Sequence, residues 1–592
     1  MPILPELSAG GTYTKKTQEF KGYNHNMAIA DGEWYDCEGL SSDNYPLFGV
    51  RKPMAETIYS AYTCYTGGLY YREGLCYLDG LNVLYKGQVV QGIALKKDHK
   101  RKTIVGMGDY VCIFPDGVWF KATDPHQCGT MDAHLTYTGT VKADICKLDG
   151  TPYSNVVKSD TAPENPTENM HWLDTGSDPH ALKVWSSSAG YWQTMATTYV
   201  RIEVPGAGAM FSAYDAISLS GLDANEQLRA LCVDGVYLYG MDGDAIIIAG
   251  LLDQSYEGEQ TVTLDRNLPY MEYVCEHNNR LWGCSAKTDK GTETTQEIYC
   301  CKLGDMKNWY CYTGLSTDSY AVTVGSPGPF TGICAYGGSV LAFKENIVYK
   351  VYGTQPSSFQ MSSINCRGIM DGCGHSLKVI GENIYYKSRT DVCVFDGSSQ
   401  PVSISDNLGN VQYDTAVAGK NGSKYLISMR KTSTGTYELY EYDTKKKVWH
   451  RLNTKHMLAF SDTEDETYAM DSAGYIWTMN GTVGEPEGPV AWWCESGIIG
   501  YTNTYQEYVG RFEFRMKLEP GAWMALFIEY DSDGVWKPEG IIKRAGHGVF
   551  SIPVIPMRCD HFRIRLEGQG NVYIYTMVKT MEGGSTESWR TY

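Results

Sequence analysis

Seven times along the chain, a short β run, a turn of Asp, Asn or Gly, and a second β run carrying an aromatic follow one another. The units span 68–85, 108–120, 279–310, 338–349, 381–397, 423–449 and 466–477. The second shows the order plainly: Tyr110-Val111-Cys112-Ile113-Phe114, then Pro115-Asp116-Gly117, then Val118-Trp119-Phe120. From residue 279 onward the spacing is roughly 40–60 residues, near the blade length of β-propellers. A single small meander cannot bury both of its faces. Packing such units radially buries them and leaves only short edges. Gly and Asp-Gly turns close the hairpins, because glycine reaches positive φ at no steric cost. Unrelated hairpins in two sandwiches are the competing fold, and the shared internal order favours the propeller.

Composition agrees with strands and tight turns. The 592 residues include 45 Tyr and 63 Gly, with 43% hydrophobic and 20% charged residues. That balance rules out wholesale disorder. Tyrosines recur in the repeated runs, among them Tyr71, Tyr77, Tyr85, Tyr385, Tyr425 and Tyr468, where they are expected to pack between blades. The period breaks between about residues 126 and 262, where alternating runs such as Tyr199-Val200-Arg201-Ile202-Glu203-Val204 point to an inserted β-rich domain. After Glu485-Pro486-Glu487-Gly488-Pro489, strict alternation in Arg511–Leu518 and His561–Glu567 describes an antiparallel sheet with one polar face. The expected fold is all-β: a propeller of about seven blades, an inserted β-domain and a C-terminal β-sandwich. Its parts are an N-terminal arm at 1–40, propeller at 41–128 and 263–485, the insertion at 129–262, and the sandwich at 486–592.

A net charge of −18 leaves no whole-chain electrostatic footprint for nucleic acid. No run of 18 or more apolar residues predicts a membrane span. Met1-Pro2-Ile3-Leu4-Pro5-Glu6-Leu7 lacks the basic and apolar regions of a secretory signal, so folding in the cytoplasm of the producing cell is expected. The 18 cysteines contain no Cys-x-x-Cys pair and sit mostly in strand-like runs, where a thiol acts as a small buried hydrophobe.

Several patterns invite chemistry. Asp471-Ser472-Ala473-Gly474-Tyr475-Ile476-Trp477 approaches the Asp-box of sialidase propellers, but its Asp precedes Gly by three residues and not two. Glycosidase chemistry needs two carboxylates across a cleft, and 69 acidic residues nominate no pair. Cys366, Cys373 and His375, and separately Cys275, His277 and Cys284, lack the paired short spacing of structural zinc sites. Asp242-Gly243-Asp244 is explained by a hairpin turn better than by calcium. No cofactor motif is found. Trp172, Trp185 and Trp192 in the insertion are candidate glycan or partner contacts, with burial in that domain's core as the alternative.

The stretch Glu276-His277-Asn278-Asn279-Arg280-Leu281-Trp282-Gly283, then Lys307-Asn308-Trp309-Tyr310, then 337–353 resembles tailed-bacteriophage virion proteins of the packaged-DNA stabilisation or tail-hub propeller type. Residues 530–536 and 555–565 resemble a module of prophage structural proteins. The resemblance covers roughly 270–400 and 505–580. It implies a structural role in the neck or tail of a virion, without catalysis. It also implies a ring of copies, often six, and contacts with portal, adaptor or tail proteins. A carbohydrate-binding host-recognition tail protein and a glycan hydrolase on a propeller scaffold are the alternatives.

Overall fold

The computed structural model describes residues 11–64, 67–97, 100–287, 295–500, 507–557 and 559–583. Met1–Leu7 and Arg558, used above, lie outside them. The chain is all-β and propeller-like. Seven antiparallel sheets follow one another, here numbered I (69–89), II (103–130), III (273–323), IV (332–365), V (378–403), VI (413–453) and VII (457–486). The first strands of neighbouring sheets touch around the series, and VII touches I. Between IV and V, the 3-10 turn Gly374–Ser376 fills the junction.

Aromatic pairs wedge the sheets apart at a fixed distance. Tyr85 meets Phe120 between I and II (centroids 5.2 Å), and Phe114 meets Trp309 between II and III (6.2 Å). Trp282 and Phe359 join III to IV (5.1 Å), Phe343 and Tyr386 join IV to V (5.5 Å), and Tyr385 and Tyr425 join V to VI (5.6 Å). Tyr71 stacks on Tyr468 between I and VII (5.4 Å). Most are edge-on or tilted, the geometry the ring quadrupole prefers. Sheet VII takes its fourth strand, Ala55–Ser60, from far upstream: Tyr475 pairs with Ser60, Trp477 with Glu56 and Thr478 with Ala55. Ala55–Ser60 thereby closes the series of sheets.

Residues 12–49 do not form an arm. Thr12–Thr17 pairs with Val572–Gly583, and Glu33–Glu38 pairs with Ala491–Ser496. They complete a five-stranded and a six-stranded sheet built otherwise from 491–583. The alternation in this region puts Phe512, Phe514 and Met516 into one core with Leu526, Ile564 and Leu566, joined by Trp34 and Trp492. Burying that apolar set outweighs leaving 12–49 in solvent. The first stretch of the ring therefore starts at Ala55, and not at 41.

Arg451 on sheet VI pins this two-sheet module to the ring. Its guanidinium lies 3.1 Å from Asp36, 3.6 Å from Glu38 and 3.2 Å from Glu438. Beside it, Gly22 has φ +81°, and a Cβ there would meet Trp449 O at 2.3 Å and the His450 ring at 2.9 Å.

The insertion is a closed six-stranded barrel running from Ala133 to Arg266, with its own core of Val141, Ile202, Leu238, Ile246, Ile248 and Leu264. Asp215 ties it to sheet III by accepting from Arg266 Nη1 (2.6 Å) and Asn308 Nδ2 (2.9 Å). Asp242-Gly243-Asp244 is the hairpin turn between Val236–Asp242 and Ala245–Ala249. The segment Thr161–Asn169 is irregular, and Asn225 caps a short helix, Glu226–Ala230, by accepting from Leu228 N (2.8 Å).

Candidate functional site

Inside the insertion, a four-stranded sheet stands apart from the barrel: Val156–Ser159, His171–Asp174, Ala181–Ser186 and Tyr191–Thr194. Trp172 is paired with Lys183 and Trp185 with Trp192. Period-2 alternation then puts Trp172, Lys183, Trp185 and Trp192 on one face. The indole of Trp192 sits between the other two, with centroids 5.3 Å from Trp172 and 5.4 Å from Trp185.

The three are not equivalent. Trp172 is 6% exposed and donates from Nε1 to Ser159 O (3.1 Å), as a core residue does. Trp185 and Trp192 are only half-buried, and neighbouring Tyr191 is 58% exposed. Lys183 lies 4.9 Å from the Trp172 ring and 2.7 Å from Asp174 Oδ2. That lysine hydrogen bond holds the Asp174 carboxyl below the usual carboxylate range. The arrangement is a row of aromatic faces, open at the Trp185 end, with a charged pair at the buried end. Sugar rings stack on such faces through their apolar C–H surfaces.

A second concavity lies where the first strands of the ring converge. Its volume is about 390 Å³, and Arg101, His375, Lys378, Tyr70, Phe460 and Asp462 are among its lining residues. Asp462 makes no ion pair among the described residues. These residues come from sheets I–II, V and VII, so no local motif announced them. His375 was visible only as a candidate metal ligand.

The suspected metal and calcium residues have other partners. Cys373 and Cys366 belong to the core, and burial pushes both thiols up to about 11. Among the described residues, no three of His, Cys, Asp or Glu come together to hold a metal ion. Asp471 accepts from Ala473 N (2.9 Å), Tyr475 N (3.0 Å) and Trp477 Nε1 (2.8 Å), so its carboxylate builds the turn. Asp396 does the same with Ser398 N and Ser399 N, bonds that bring it down to about 2.

No family model and no curated protein matches the chain. Among solved structures it is similar to the exo-β-1,3-galactanase of Phanerochaete chrysosporium with galactose (7% identity, TM-score 0.23, covering 51% of this chain and 95% of that one). It is also similar to a bifunctional GH43-CE protein of Bacteroides eggerthii (9%, 0.20, covering 53% and 62%). A third likeness is to PorZ, a surface component of the type-IX secretion system of Porphyromonas gingivalis (10%, 0.25, covering 82% and 70%). At these TM-scores none of them carries a substrate or a catalytic residue over to this chain. The expectation that the chain lacks catalysis is corrected: it rested on missing sequence motifs alone, and an exo-β-1,3-galactanase is among the structures the chain is similar to, at a TM-score that assigns no activity.

Proposed function

We propose that this chain recognises glycans, on a seven-bladed propeller whose blades are sheets I–VII, with the two-sheet module as a β-sandwich beside it. The row of Trp172, Trp192 and Trp185 carries this reading, because two of its indoles keep half-exposed faces at stacking distance on an outlying sheet. A buried aromatic core would have hidden all three. Trp185 and Trp192 contact the sugar, while Trp172 and the Lys183–Asp174 pair hold the row in place.

Hydrolysis of a glycan is the second reading, and the observation behind it is Asp462 in the 390 Å³ cavity, one of the two carboxylates that such chemistry needs. Both are examined with one set of reagents. On a glycan array, wild-type protein is expected to bind, and Trp185→Ala and Trp192→Ala are expected to weaken binding by about tenfold or more. Unchanged binding in both variants would overturn the aromatic site. Reducing ends released from the bound glycan by wild type, and lost in Asp462→Asn, would establish hydrolysis at that carboxylate. No release would restrict the chain to recognition.

The resemblance to tailed-phage virion proteins supports a proposal about setting: a ring of copies, hexameric by that resemblance, in contact with portal, adaptor or tail proteins and located in the virion. Light scattering of the purified protein is expected to give a mass near six times 66.0 kDa. A stable monomer at all concentrations would sink it.

A further inference from the structure

The cavity at the centre of the ring is cationic in a chain whose net charge is −18. Of the basic side chains lining it, Lys102 is neutralised, buried 2.8 Å from Asp116 Oδ1. Arg101 is not. Its Nη2 donates to Leu458 O, and its Nε is buried with no partner. No carboxylate of the described residues pairs with it. Gly67 lies beside the guanidinium: a Cβ there would stand 3.6 Å from the guanidinium carbon, in ordinary contact. Lys378, from the next junction but two, lines the same space and likewise makes no ion pair among the described residues. His375 completes the wall.

Leaving a buried guanidinium N–H unsatisfied costs more than an ordinary lost hydrogen bond, because the donor is charged. Two unpaired cations in one concavity also repel each other at reduced dielectric. Both costs vanish when an anion with several acceptor oxygens enters. Arg101 offers the planar fork that matches an oxyanion, and Lys378 supplies a point charge. Asp462 lines the same cavity and is exposed, and its charge acts on Lys378, so it opposes part of that charge. Burial brings Arg101 down to about 10, and burial together with the neighbouring cations lowers Lys378 and His375.

We propose that the central cavity is an oxyanion-binding site, formed by Arg101, Lys378 and His375, for a phosphate, sulfate or carboxylate group. The volume admits a group carried on one sugar ring as readily as the free ion. The site is independent of the tryptophan row; it shares its cavity with Asp462, but anion binding is read by calorimetry whether or not a glycan is cleaved.

Titration calorimetry of the full chain with inorganic phosphate, with sulfate and with glucuronate tests this and separates the sources. Binding of the inorganic ions alone assigns a free anion, whereas tighter binding of glucuronate assigns an acidic sugar. Arg101→Gln and Lys378→Met are each expected to weaken the preferred ligand by about tenfold or more, the worth of one charge-assisted hydrogen bond. Circular dichroism checks that each variant is folded. If Arg101→Gln fails to fold, Lys378→Met decides. No heat of binding with any of the three at about 10 mM, an affinity too weak to matter, overturns the proposal. Equal affinity in wild type and folded variants overturns it too.

Discussion

His450 shows how a single side chain makes the whole molecule sensitive to acid. Its ring is buried, its Nδ1 has no partner, and Lys424, Asp443, Asp43 and Lys446 surround it. Burial first, and then the Lys424 charge, bring it down to about 3. The unfolded chain takes up a proton near the ordinary histidine value of about 6.5, which the folded chain refuses. The stability this neutral ring lends is therefore complete above that value. It falls as pH drops toward 3, by up to roughly 1.4 kcal/mol per pH unit. His450→Gln is expected to flatten that share of the loss. Urea midpoints of wild type and variant at pH 7 and pH 5 check it: equal drops in both would show that His450 is not the group responsible. Because His450 touches Gly22, the acid-labile contact is the one between sheet VI and the two-sheet module.

The insertion behaves as a separable element. Ala133 and Arg266 are partners in the barrel ladder, so its two ends leave the ring side by side. Its core cluster contains no residue of sheets I–VII. Replacing 133–266 by a short Gly-Ser link is expected to leave a ring that melts cooperatively, weakened by about 1–3 kcal/mol through the lost Asp215–Asn308 bond. Circular dichroism melting reads this, and a broad non-cooperative melt would show that the ring depends on the barrel. The same deletion removes Trp172, Trp185 and Trp192. How far sequence reasoning reaches is visible here too. Each of the seven repeated units falls on one of the seven sheets, because a hairpin is a local event written in adjacent runs and Gly or Asp turns. Strands such as Gly22–Tyr23 and Phe48–Gly49 are too short to carry a period, and they belong to sheets completed by strands beyond residue 490. Arg101, Lys378 and Asp462 share a cavity only after the ring forms, so no spacing between them means anything along the chain. The tryptophans were visible as residues, but which of the three kept an open face depended on the register of Trp185 with Trp192.

At the scale of the molecule, residues 12–60 serve three sheets: they give a closing strand to sheet VII and edge or inner strands to both sheets of the module. Their partners lie at 475–478 and in 485–583. The ring and the module are thus clasped by one stretch of chain, with Arg451 bridging them. This has a consequence for how the protein is made. On the ribosome, Ala55–Ser60 emerges more than four hundred residues before Tyr475–Thr478. At about 5–20 residues per second that is a wait of roughly 20–85 s. Through all of it, Trp34 and Phe48 have only each other and Phe20 for native cover and lack Trp492, and the edge of Ala55–Ser60 is unpaired, while the intervening hairpins fold as they appear. The nascent chain must spend that time either shielded by a holdase or at risk of pairing with a neighbour on the same message.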